Sequence, residues 1–339
     1  MAGHCSSPLG VLRTAQGINH VRKTYFNGNV AAREQGPRVS SNWRNGVHLF
    51  PMNLAVELAR RLPDPLLKGL LRLRLNPLLR PGFDWCAARM RDEDNVIQRG
   101  AGKGLRFNPG GSNASYLLGT AEQEIQDVLQ LWLQPGMTVY DAGANVGFIT
   151  VIAASLVGER GSVCGFEPVP MLADRAVHNA SLNQFRQVHI HRVALSDQDG
   201  EAVFQVSKNL TMGRLVNRES HEPDAANELV VRKRKLDTLV AVEGLPAPDL
   251  VKIDVEGAEA AVLDGAVGIL QRTRPALLIE LHSTNEAVAE RLEKLSFVGC
   301  LLGTRESIRT GPRNATVAAV TEERAFMLNQ ISTAWERNP

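Results

Sequence analysis

The chain is poor in the features that would place it outside the ordinary globular proteins. Its four cysteines, at positions 5, 86, 164 and 300, have no paired spacing, so neither a zinc site nor a disulfide framework is indicated. No apolar run approaches the roughly 18–20 residues of a membrane span, and the first thirty residues lack an apolar signal core. The four Asn-x-Ser/Thr sequons, at Asn113, Asn179, Asn209 and Asn314, therefore read as chance, and a cytoplasmic location is expected. Aromatic residues make up only 5% of the chain, and none interleaves with the basic run Arg232–Lys235. The stacking platform of a single-strand nucleic-acid binder is missing, and no nucleic-acid partner is expected.

What is present is unevenly spread. Residues 1–110 carry 17 Lys/Arg against 7 Asp/Glu, and the remainder 21 against 29, so a basic leader precedes a mildly acidic body. Residues 1–46, rich in Gly, Ser, Asn and Arg, are expected to be disordered. In residues 49–80, Leu54, Leu58, Leu62, Leu66, Leu67, Leu70, Leu71 and Leu75 recur at helical spacing among Arg60, Arg61, Lys68, Arg72 and Arg74, with Pro63 and Pro65 dividing two short helices. Such a pair caps the main domain or makes peripheral contact with an anionic membrane. Residues 95–108, with glycines between two apolar pairs, read as a hairpin, so 47–110 is a basic helical and hairpin extension. The main domain is expected over 111–339. Its helix near 121–134 ends at Pro135-Gly136. Strands near 138–140, 162–166, 188–194, 250–254, 276–281 and 297–302 alternate with helices near 171–183, 256–271 and 285–295. That alternation predicts an α/β fold, a parallel sheet with helices on both faces. Between 200 and 245 the pattern loosens, and a short strand pair with an active-site loop is expected there.

The chain is organised around Thr138–Thr150, TVYDAGANVGFIT. A strand runs into a small-residue loop and then a helix, the front half of a βαβ nucleotide site, where glycine lets backbone approach a ligand closely. Asp141 at the strand tip suits a ligand that carries positive charge and an amino group. Glu167 ends the second strand, where an acid accepts hydrogen bonds from ribose hydroxyls. In Val251-Lys252-Ile253-Asp254, alternation puts Lys252 and Asp254 on one side of a strand that should be buried; charges there need partners or a ligand. Glu280 and His282 stand at the same end of the next strand, so acids and an imidazole converge.

In this order Asp141–Gly147 (DAGANVG), Glu167-Pro168, Lys252–Glu259 (KIDVEGAE) and Glu280–His282 (ELH) resemble the FkbM-type methyltransferases over about residues 95–330. Gly119–Glu122 (GTAE) and Leu236–Leu239 (LDTL) are similar to further signatures of that family. The resemblance implies a Rossmann-like, doubly wound, seven-stranded sheet. It also implies S-adenosylmethionine as methyl donor and O-methylation of a sugar, glycan or secondary metabolite. Carried onto this chain, Asp141, Gly143, Asn145 and Gly147 line the methionine end of the donor, Glu167 binds its ribose, and Ser196 and Asp197 approach its adenine. A hydroxyl needs its proton removed before it attacks a sulfonium carbon. Asp254, with Glu280 or His282, is assigned that task, Lys252 positions or neutralises the carboxylates, Glu256 assists, and Glu259 is structural. The same oxygen-rich set with one imidazole suits a divalent cation, which nothing in the sequence compels. A nicotinamide oxidoreductase is disfavoured because the loop reads Gly143-x-Asn145-x-Gly147, not G-x-G-x-x-G, and Asp141 would face a pyrophosphate. A catalytically silent binding module with this fold is the remaining rival. The acceptor pocket is expected from residues 47–120 and 200–245.

Overall fold

The computed structural model describes residues 93–110, 115–206, 213–216, 228–304 and 306–337. The leader at 1–46 and the leucine-rich pair at 49–80, with its membrane contact, lie outside these residues.

Strands β1 (Asn95–Val96) and β2 (Arg106–Phe107) pair antiparallel, the hairpin that the glycines foretell. Ile97 and Phe107 are buried in the same core as the main helices. Helix α1 (Ser115–Leu118) leads to α2 (Gln123–Trp132), whose Ile125, Val128, Leu129 and Trp132 form the buried stripe. There follow β3 (Thr138–Ala142), α3 (Phe148–Val157), β4 (Ser162–Phe166), α4 (Pro170–Leu182) and β5 (Val188–His191). Because α3 is apolar almost all round, it is a core helix, buried from Phe148 to Ala154.

Beyond β5 the chain leaves this sheet. Strands β6 (Ala194–Leu195), β7 (Gly200–Val206), β8 (Gly213–Val216) and β9 (Glu228–Arg234) form a separate four-stranded sheet in the order β6-β9-β7-β8. This corrects two expectations. Residues 188–194 are not one strand, and the loose region contributes three strands to a four-stranded sheet rather than a strand pair; of the expected active-site loop, 207–212 and 217–227 lie outside the described residues. Along β9 only Val231 is buried, and its charged residues disguised the alternation.

The chain returns through α5 (Leu236–Glu243) to β10 (Leu250–Ile253), α6 (Glu259–Asp264), α7 (Val267–Thr273) and β11 (Ala276–Glu280). The single helix expected over 256–271 is two. Glu256 and Gly257 form a turn at φ 52° and 99°, and the helices break at Gly265, where a Cβ would lie 2.0 Å from the Ser196 carbonyl oxygen. Then come α8 (Asn285–Lys294), β12 (Phe297–Leu301), β13 (Thr316–Thr321) and α9 (Phe326–Arg337). The last strand and helix were not anticipated.

The main sheet runs β12-β13-β11-β10-β3-β4-β5. Its neighbours from β11 to β5 are parallel, and β13 is antiparallel to both β11 and β12. It is the seven-stranded, doubly wound Rossmann-like sheet. The core divides between its faces: α2, α3 and Leu278 belong to one cluster, and Leu239, Val262, Leu270 and Val288 to the other. Strand order reverses between β3 and β10, and ligands of open α/β sheets bind at the carboxyl ends of strands beside such a reversal.

Candidate active site

The register of β3 against β10 sets Asp141 beside Lys252, and the alternation of β10 returns Asp254 to the same side. Lys252 Nζ lies 3.3 Å from Asp141 Oδ1 and 3.3 Å from Asp254 Oδ2, and 3.4 Å from the Gly143 carbonyl oxygen. Burial opposes the lysine's charge, but Asp141, Asp254, Glu122 and Glu280 outweigh it and hold the ammonium protonated. Asp141 is itself inaccessible; Thr150, in the first turn of α3, donates a 2.6 Å hydrogen bond to its Oδ2.

The loop after β3 folds against these groups. Gly143 has φ 78°, and a Cβ there would fall 1.7 Å from the Asp254 carbonyl oxygen, so only glycine fits. Asn145 also takes a left-handed conformation, φ 51°, which asparagine tolerates better than most residues. Gly147 at φ 83° precedes α3 and packs against Ala176. At the tip of β4 the buried Glu167 accepts 2.9 Å bonds from the backbone N–H groups of Asn145 and Val169. Burial pushes its carboxyl up to about 7 despite those two bonds. Asp141, Gly143, Asn145 and Glu167 are thus brought together. Ser196 and Asp197 bond each other (3.1 Å) beside Gly265, and no hydrogen bond or ion pair joins them to this group among the described residues.

On the other side of β10, His282 Nδ1 is 2.9 Å from Glu259 Oε1, while Nε2 stands 3.5 Å from Glu256 Oε2 and 3.7 Å from Asp254 Oδ1. The hydrogen bond to Glu259 holds the imidazole pKa up at about 9, against its partial burial. Glu259 also accepts from Gly257 N–H and from the Thr284 hydroxyl, at 2.8 and 2.7 Å. Burial raises Glu256 and Glu280, and the charge of Asp254 adds to both shifts. Asp254, Glu280 and His282 each offer one ligand atom within 4.8 Å of the others. All five residues assigned to catalysis therefore meet at one rim of the sheet.

Two further groups border this rim and were given no role from the sequence. Glu122 feels the charges of Lys252, Asp254, Glu280 and Asp141, and so does the buried Tyr116 hydroxyl for the first three. Thr150 was equally overlooked, although a lone hydroxyl in the run FITVIAASLV is a legible signal.

Residues 141–302 match the family model described as Methyltransferase FkbM domain. Hexuronic acid methyltransferase AglP of Haloferax volcanii is 28% identical over 161 residues, 47% of this chain and 62% of that protein. The 2-O-methyltransferase NoeI of Sinorhizobium fredii is 26% identical, over 44% of this chain and 65% of its own. The chain thus spans less than two thirds of either relative. The solved methyltransferase FkbM of Methylobacillus flagellatus shares 14% identity with a TM-score of 0.39, covering 62% of this chain and 55% of that one.

Proposed function

We propose, for a chain whose residues 141–302 match the Methyltransferase FkbM domain model, an S-adenosylmethionine-dependent methyltransferase that O-methylates a hydroxyl of a sugar, glycan or secondary metabolite. The observation that carries this reading is the Lys252 ammonium braced between Asp141 and Asp254 at the reversal of strand order. It marks the boundary between a donor side and an acceptor side. The residues fit the donor. Asp141 Oδ1 is buried with no hydrogen-bond partner among the described residues, and glycine at 143 lets the loop pack directly on the Asp254 backbone beside it.

The donor supplies a methyl group on a cationic sulfur that leaves as a neutral thioether. Asp141 and the loop Gly143–Gly147 hold its methionine end, Glu167 its ribose, and Ser196 and Asp197 its adenine. Asp254 takes the acceptor's proton as the oxygen attacks, and Glu280 borders the same space. Lys252 holds Asp254 in place without consuming its outward oxygen. His282, tied to Glu259, balances the charge of Asp254 and Glu256 rather than removing the proton, and Glu256 orients the acceptor.

A second reading rests on the mutual approach of Asp254, Glu280 and His282. Those three ligand atoms would hold a divalent cation, which would activate the hydroxyl in place of a free base. Activity lost to a chelator and restored by magnesium or manganese supports that reading; unchanged turnover removes it.

The proposal includes a cytoplasmic enzyme with a small-molecule or glycan acceptor. Among the described residues no helix is long and apolar enough to cross a membrane. The test is transfer of a labelled methyl group across sugars, glycans and hydroxylated metabolites, read by product mass. A product one methyl group heavier is expected. A protein that neither binds S-adenosylmethionine in calorimetry nor labels any acceptor would be the silent module instead.

A further inference from the structure

Among the described residues, two buried side-chain oxygens have no hydrogen-bond partner, Glu122 Oε2 and Asp141 Oδ1. They flank α2 in sequence, and Glu122 feels the charges of Asp141 and of Lys252. A buried carboxylate left without a partner is costly. Lys252 does not relieve Glu122, because its ammonium already faces Asp141, Asp254 and the Gly143 carbonyl.

The placement of Glu122 is enforced. Gln126 binds the Gly119 and Ala121 carbonyl oxygens and accepts from Ala101 N–H, at 3.2, 2.6 and 2.8 Å. Glu122 itself stands at φ 47° at the head of α2, and its side chain does not cap that helix. A left-handed glutamate costs on the order of 1–3 kcal/mol and persists only where its surroundings impose it. Nearby, Tyr116 packs its ring 4.8 Å from that of Phe148, the residue that follows the loop Gly143–Gly147. The segment 115–122 therefore abuts the end of the site that the donor's methionine part would take.

We propose that the Glu122 carboxylate, alongside Asp141, receives the α-ammonium of the donor's methionine portion. The inference rests on the donor assignment above and adds a residue upstream of the family match at 141–302. An ammonium offers three N–H donors, enough to donate to both oxygens that lack a hydrogen bond, with Lys252 remaining in its ion pair to Asp141. Burial pushes the Glu122 carboxyl up to about 8, and a cation docked against it favours the charged form.

Calorimetry on the full chain tests this with S-adenosylhomocysteine and 5′-methylthioadenosine, two neutral thioethers of which only the first carries the amino-acid portion. The variant Glu122→Gln should bind S-adenosylhomocysteine about 10- to 100-fold more weakly and 5′-methylthioadenosine as the wild type does. Retained binding of the second ligand also shows that the variant is folded. Equal weakening of both ligands, or of neither, overturns the inference while leaving the donor assignment intact. A wild-type protein that binds neither ligand overturns the donor assignment, and the inference with it.

Discussion

The two sides of the Lys252 ammonium are built differently. On the β3–β4 side, Asp141 has no exposed side-chain surface, and its partner Thr150 and the amides that hold Glu167 fix both carboxylates at 2.6–2.9 Å. On the β10–β11 side, Asp254, Glu256 and His282 keep 24, 32 and 20% of their side-chain surface exposed and meet at 3.5–3.7 Å. Under the proposed function, the first arrangement is preorganised for a donor whose shape does not vary, and the second is open enough for an acceptor that does, its contacts being of a length that ligand binding commonly shortens. The contrast teaches that one sheet edge supports both a rigid and an adaptable half, divided by a single buried cation.

The strongest attack on that division is Asp254→Asn. Turnover should fall by about 10²- to 10⁴-fold, while calorimetry shows S-adenosylhomocysteine affinity retained; a variant with near-normal turnover would move proton removal elsewhere. Next comes Lys252→Met, which leaves Asp141 and Asp254 without their shared cation. Denaturant unfolding should show a loss of about 3–5 kcal/mol, the usual cost of breaking a buried pair from one side. A negligible loss would mean that the halves do not depend on the ammonium.

Glu167 sharpens the comparison through pH. Its carboxyl ordinarily titrates at 4.5 and is pushed up to about 7 in the folded protein. Between those values the folded state binds more protons than the unfolded one, so this contribution to stability is complete below pH 4.5 and is lost as pH rises through 7. Donor binding should run the other way, strengthening as the carboxylate ionises and accepts from the ribose. Melting and calorimetric titrations from pH 5 to 8 should show both trends in the wild type and neither in Glu167→Gln. The smallest effect is expected for Thr150→Val, which removes one hydrogen bond to Asp141 at constant shape. A loss of about 1–2 kcal/mol in stability is expected, with weakened donor binding and unchanged acceptor KM.

The parallel sheet was legible because strands buried on both faces read as apolar runs, such as Leu277-Leu278-Ile279. Lys252 and Asp254 were legible for the converse reason, as charges interrupting such a run at two-residue spacing. The sheet formed by β6–β9 was not, since β9 carries Arg232, Lys233 and Arg234 in succession, on both of its faces, and so mimics a loop. Strand β13 was missed because its antiparallel insertion between β11 and β12 depends on pairing that no local pattern encodes. Glu122 was named only as the end of the Gly119–Glu122 signature, and its place at the site escaped for a further reason. Its side-chain direction follows from a left-handed backbone imposed by residues around it, and sequence spacing carries no record of φ.

Glu259 gives the adaptable half its mechanics. One carboxylate fastens Gly257, His282 and Thr284, so the turn after β10 and the segment after β11 are riveted from behind. In the proposed enzyme, an acceptor that met Glu256 and His282 would therefore meet two segments held as one plate, not as separate fingers.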